Sequence, residues 1–112
     1  MAKIKYRVLG SSGIKVSPIC LGTMMFGGPT EEAEARRIID HALENGINFI
    51  DTADVYAKGR SEAIIGPAIK AKRDRWVLAT KLAQPTGPSV TDSGLSRRYM
   101  MQVGTNGPRP AK

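Results

Sequence analysis

Gly46-Ile47-Asn48-Phe49-Ile50-Asp51-Thr52-Ala53-Asp54-Val55-Tyr56 reads as a short apolar strand that ends on a carboxylate and runs into a polar loop carrying a phenol. Ile47, Phe49 and Ile50 favour β-structure, and Asn45-Gly46 stops whatever precedes them. Asp51 is the first charge after the apolar run, which places it at the carboxyl end of the strand. Tyr56 follows five residues later, in the next connection. In α/β sheets, open or closed, that edge is where ligands and catalytic groups gather. Asp and Tyr are also ordinary loop residues, Asp51 as a turn cap and Tyr56 as amphipathic cover, so spacing alone leaves both readings open.

Upstream, Thr30 to Asn45 predicts a helix. Thr30 stands where an N-cap belongs, and Glu31, Glu32 and Glu34 put negative charge at the favourable end of the dipole. Ala35, Ile38, Ile39, Ala42 and Leu43 recur at helical spacing, and Asn45-Gly46 supplies a left-handed stop. The sole histidine, His41, falls off that apolar stripe and reads as a solvent-facing residue. Earlier still, Tyr6-Leu9 and Ile14-Ser17 flank a Gly/Ser turn and predict a hairpin. Ile19-Thr23 predicts a compact strand, whose Gly22 would let a ligand approach the backbone or merely ease a turn.

Downstream, Ser61 is the candidate cap of a helix from Ala63 to Lys72, with Ile64, Ile65, Ala68 and Ile69 as its buried stripe. Pro67 in that stretch predicts a kink or a late start, because proline lacks a donor and clashes with the preceding turn. Arg75 to Lys81 predicts a third strand, again ending on a charge. Strand, helix, strand, helix, strand argues a parallel sheet of βα units, an α/β fold.

Composition narrows the function classes. The 112 residues suffice for one small domain, and the single cysteine, Cys20, excludes an internal disulfide. There is no run of about eighteen apolar residues to span a membrane, and no apolar core behind the basic amino terminus to make a signal peptide. The expected location is the cytoplasm. The net charge of +7 is uneven: six bases meet seven acids up to Ala57, whereas eleven bases meet three acids beyond it. Those bases are scattered without aromatic interleaving, so solvated side chains rather than nucleic-acid binding are expected.

Taken together, Asp51-Thr52-Ala53-Asp54-Val55-Tyr56 with Gly59-Arg60-Ser61-Glu62 resembles the signature of the aldo-keto reductases. Tyr6 to Gly13 resembles that family's opening hairpin, Leu21-Gly22-Thr23-Met24 its first barrel strand, and Ala79-Thr80-Lys81 the strand end that carries its lysine. Gly94 to Tyr99 is similar to the start of its third helix, in the branch that includes potassium-channel β-subunits. The resemblance runs through about residues 5 to 102 in family order, which gives a partial family domain over 1–102 and a tail over 103–112.

The resemblance implies the amino-terminal portion of a (β/α)8 TIM barrel, a hairpin plus three βα units, that binds NADPH and reduces aldehydes or ketones. It implies Tyr56 as general acid, Lys81 as its tuner, Asp51 as the partner of Lys81, and Gly22, Thr23, Met24 and Asp51 near the cofactor. A free phenol ionises near pH 10, and a neighbouring ammonium favours the phenolate and so eases proton donation at neutrality. Where the family has a histidine at the end of its fourth strand, this sequence offers none. Ala57 stands where the family usually has glycine. After Gln102 the sequence turns Gly/Pro-rich without an apolar stripe, which predicts disorder and points to a truncation or frame change there. The expectation is an oxidoreductase by resemblance, inactive as these residues stand. The alternative is a non-catalytic interaction fragment, potassium-channel β-subunit-like or pairing through open sheet edges, which would also allow self-association.

Overall fold

The computed structural model describes residues 4–82, 84, 88–90, 93–98, 100 and 101. It opens with an antiparallel hairpin, β1 (Arg7–Val8) against β2 (Lys15–Val16). The turn is closed by Leu9 N–H donating to Ile14 O at 2.8 Å and by Ser12 Oγ donating to Leu9 O at 2.6 Å. Next come β3 (Cys20–Gly22), α1 (Glu32–Glu44), β4 (Phe49–Asp51), α2 (Arg60–Ile69) and β5 (Val77–Ala79). The last three strands form one parallel sheet in the order β3-β4-β5, as βα units require.

The register sorts the sheet into rows. Leu21, Ile50 and Leu78 lie side by side and face the helices, with Ile50 fully buried. The period-two pleat turns the flanking rows, Cys20-Phe49-Val77 and Gly22-Asp51-Ala79, to the opposite face. Both helices pack on the first face. Their contribution to the core is Ala35, Ile39, Ala42 and Leu43 from α1 and Ile64, Ile65 and Ile69 from α2, joined by Phe26 and Trp76. These are the stripes read from helical spacing, and Ile38 and Ala68 pack at their margins. Burying each of Ile39, Ile50, Ile65 and Ile69 contributes about 1.5–3 kcal/mol, so these four anchor helices to sheet.

The first helix ends as its sequence predicts. Gly46 has φ of +89°, its N–H donates to Leu43 O at 3.0 Å, and Ile47 N–H reaches Ala42 O at 3.0 Å, which is a Schellman close. A side chain at Gly46 would also stand 3.0 Å from Ile4 Cδ1. The Gly46 carbonyl accepts from Tyr6 Oη at 2.7 Å, while Asn48 accepts from Ser17 N–H at 2.7 Å and donates to Lys15 O at 3.0 Å. The hairpin is therefore docked at the amino ends of the strands, leaving their carboxyl ends open.

Three boundaries differ from expectation. Thr30 is not the N-cap of α1; that position is Glu31, whose side chain makes no cap bond. Buried Phe26 pulls the preceding loop inward, and Thr30 closes it by donating to Met25 O at 3.0 Å and accepting from Gly27 N–H at 2.9 Å. The second helix begins at Arg60 rather than Ala63, so Ser61 lies inside its first turn and is not its cap. Pro67 causes neither a late start nor a mid-helix break, because it falls in the last turn and α2 gives way at Lys70 to a 3-10 segment, Lys70–Arg75. Arg97, Arg98, Met100 and Met101 have helical backbone, and Met100 N–H donates to Ser96 O at 2.9 Å, where a third helix was expected to start. The predicted tail, 103–112, lies outside the described residues.

Candidate active site at the carboxyl ends of the strands

Each strand stops where its apolar row runs out, and the residues just beyond form the site. Asp51 is the last residue of β4, and Lys81 lies two past the end of β5. Tyr56 opens a tight 3-10 turn, Tyr56–Gly59, that leads into α2. That turn runs left-handed for three residues, with φ of +51° at Ala57, +57° at Lys58 and +90° at Gly59. Only the last is glycine, so two L-residues are held in a region that costs about 1–2 kcal/mol each. The outcome is that α2 starts directly after this turn and the phenol is folded back over the strand ends.

Lys81 is the hub. Its Nζ lies 2.7 Å from Asp51 Oδ2, 2.9 Å from Thr52 O and 3.1 Å from Tyr56 Oη. The ammonium also sits 4.9 Å from the Tyr56 ring centroid, which follows from the hydroxyl contact rather than from stacking on the ring face. Burial is the largest single influence on this group and pulls its pKa down. Hydrogen bonds to Asp51 and then Tyr56, with their charges, outweigh it and raise Lys81 above the ordinary 10.5. The Lys81 side chain remains 51 % exposed and that of Asp51 35 %, so the ion pair adds only about 0–1 kcal/mol to stability. Its importance is geometric.

Around this trio, Gly22 is the register partner of Asp51, and a Cβ built on it would meet nothing within 4 Å. Met24 is exposed beside it. Thr23, by contrast, is buried, with its hydroxyl donating to Asp51 O at 2.9 Å. Cys20, on the same face as Gly22, is a free thiol whose pKa is pushed above 9.0 by burial and by the charge of Asp51, against the opposing pull of Lys81. His41 is exposed in the last turn of α1, toward the amino ends of the strands, and takes no part. Among the described residues no group of His, Cys, Asp and Glu could hold a metal ion, and no helix is long and apolar enough to cross a membrane.

Sequence reading missed a second set of residues. Thr23, Thr52 and Thr80 each stand one position past a strand end, and all three turn toward the first turn of α2, Thr23 and Thr52 to Ser61 and Thr80 to Glu62. A threonine one residue beyond each strand of the parallel sheet is the signal that could have exposed them.

A phenol, an ammonium and a carboxylate thus converge at the carboxyl ends of parallel strands on a βα scaffold. The aldo/keto reductase family model matches residues 18–105, and the chain belongs to that family. It is 46% identical over 89 residues to the uncharacterized oxidoreductase YrpG of Bacillus subtilis, covering 73% of this chain and 27% of that protein. It is 39% identical over 103 residues to an Arabidopsis thaliana protein named "Probable voltage-gated potassium channel subunit beta", covering 88% and 31%. Among solved structures, the holo form of the aldo-keto reductase AKR11C1 from Bacillus halodurans superposes with a TM-score of 0.67 at 43% identity, over 78% of this chain and 29% of that one. The chain thus spans between a quarter and a third of the length of these relatives.

Proposed function

We propose that Tyr56, Lys81 and Asp51 form the proton-donating part of an NADPH-dependent site that reduces aldehydes or ketones, within the first three βα units of a (β/α)8 barrel. The observation that supports this most is the allocation of the Lys81 ammonium. Its three N–H groups have three acceptors within hydrogen-bond distance, namely the Asp51 carboxylate, the Thr52 carbonyl and the Tyr56 hydroxyl. Lys81 therefore donates to the phenolic oxygen, which leaves the phenol's own proton available for a carbonyl oxygen approaching from the open end. As that proton leaves, the same ammonium stabilises the phenolate, and Asp51 keeps the ammonium in place. A positioned acid of this kind contributes about 10²–10⁴-fold to rate.

The residues present fit a cofactor at this end: Gly22 leaves open space at the strand edge, with exposed Met24 and half-exposed Asp51 beside it. Gly22, Met24 and Asp51 would hold its nicotinamide end, and Thr23 would act by fixing the strand end. When bound, the nicotinamide supplies the hydride. For the 112 residues alone we propose no turnover, since Tyr56, Lys81 and Asp51 act on a carbonyl that must be held by other groups within near-attack distance. A second reading, a non-catalytic interaction unit or self-associating chain, draws on the Arabidopsis relative and on the outer edges of β3 and β5, which pair with no described strand.

The reductase reading is tested by replacing the matching segment of the Bacillus halodurans enzyme with residues 1–101 of this chain. The expected chimera oxidises NADPH in the presence of 4-nitrobenzaldehyde and loses about 10²–10⁴-fold in kcat on Tyr56→Phe. A folded but inactive chimera, or one indifferent to Tyr56→Phe, overturns the assignment. The separate chain is expected to leave NADPH unconsumed. Turnover that vanishes with Tyr56→Phe would show it to be a working reductase.

A further inference from the structure

Thr23, Thr52 and Ser61 are at most 1% exposed, and their hydroxyls form a chain whose direction can be deduced. Thr23 Oγ1 donates to Asp51 O at 2.9 Å, so it can only accept from Ser61 Oγ, 3.0 Å away. The single Ser61 proton is thus directed at Thr23, shared between that hydroxyl and the Thr23 carbonyl at 2.9 Å. With no second proton on Ser61, Thr52 Oγ1 must be the donor across the remaining 3.1 Å contact. The order is Thr52 to Ser61 to Thr23 to Asp51 O. Because Asp51 and Thr52 are joined by a peptide bond, the chain closes into a ring around that peptide.

The two residues this peptide joins carry both anchors of Lys81: the side-chain carboxylate of Asp51 and, one peptide further on, the backbone carbonyl of Thr52. Thr52 N–H is also committed, to Ala79 O at 2.8 Å. The ring is the link between α2, which begins right after the Tyr56 turn, and the ends of β3 and β4. The third strand end is tied to the same helical turn by Thr80 Oγ1 donating to Glu62 Oε2 at 2.8 Å.

We propose that Ser61 is a positioning residue: as the relay of this buried ring it fixes the Asp51–Thr52 peptide, and through it the two acceptors that hold the Lys81 ammonium against Tyr56. Its consequence for proton donation rests on the reductase reading above. The positioning itself does not.

The test is an NMR titration of the Lys81 side chain in the 112-residue chain. The groups that face this ammonium are Asp51 on β4, Tyr56 on the turn and the Cys20 thiol on β3. Ser61→Ala strands the Thr52 proton and removes the donor to the Thr23 hydroxyl, while the Thr23 carbonyl keeps Phe26 N–H at 3.0 Å, and the Lys81 midpoint is expected to fall toward 10.5. Thr23→Val, which cuts the ring at its last step, is expected to do the same. The double variant should fall no further than the larger single, because both act through one chain. Ile65→Val, a packing change on the same helix, is expected to lower stability and leave the Lys81 midpoint unmoved. Should Ser61→Ala fail to fold, Thr23→Val decides by the same readout. A Lys81 midpoint unchanged in the folded variants, or two shifts that simply add, overturns the proposal. A fall in Lys81 together with a dead chimera would leave the positioning intact and remove the reductase reading, whereas an active chimera with unmoved Lys81 would do the reverse.

Discussion

Ala57→Gly is expected to stabilise the chain although it deletes atoms and adds none. Ala57 sits at φ of +51° and ψ of +39°, where an L-residue is strained by about 1–2 kcal/mol and glycine is not. Against that gain, glycine has more freedom to lose on folding, about 0.5–1 kcal/mol. Loss of the half-buried methyl removes a further part of the ~0.8 kcal/mol that a fully buried carbon contributes. The balance is a net stabilisation of about 0.5 kcal/mol. At about 4–8 °C per kcal/mol for a domain of this size, Tm should rise by roughly 2–4 °C. Lys58→Gly, at φ of +57° and with an exposed side chain, should raise it by at least as much. Thermal melts followed by circular dichroism at one pH decide the matter. A lower Tm in both variants would refute the left-handed turn as a source of strain, and with it the account of how Tyr56 is folded back over the strand ends.

Two further outcomes follow from the packing and the charges. Ile65→Ala, in a side chain with no exposed surface between helix and sheet, is expected to cost about 2–5 kcal/mol, visible as a lower denaturant midpoint; a loss under about 1 kcal/mol would mean that α2 is not seated on the sheet as described. Because the folded state raises the Lys81 pKa, the associated stability is fully present below 10.5 and is lost as pH rises through the folded value. Solvent screening of this half-exposed group keeps that loss within about 1 kcal/mol, and Asp51→Asn should abolish most of the pH dependence in that window.

Asp51 and Lys81 were legible as charges where apolar runs end and Tyr56 as a phenol in the loop beyond, but spacing left their roles open, and only the family resemblance grouped the three. The helical stripes were legible without it: Ile39 and Ile65 mark a buried face by spacing alone. Ser61 was misread because a serine ahead of an apolar stripe looks like a cap. What turns it inward is the left-handed run through Ala57, Lys58 and Gly59, and neither alanine nor lysine announces that conformation. Thr30 failed as a cap because buried Phe26 draws its loop shut, a long-range demand that local propensity does not contain. Thr23 was legible as a neighbour of the site but not in its direction, since only its hydroxyl's bonds to Asp51 O and Ser61 show that its side chain faces the helix.

The claim that one ammonium joins carboxylate and phenol is tested most directly by titrating Lys81 in the wild type, Asp51→Asn and Tyr56→Phe by NMR. The wild-type midpoint should lie above 10.5, Asp51→Asn should lower it most, and Tyr56→Phe should lower it less, in the order of their hydrogen bonds to the ammonium. A wild-type midpoint at or below 10.5 that neither substitution moves would contradict the convergence of these three residues.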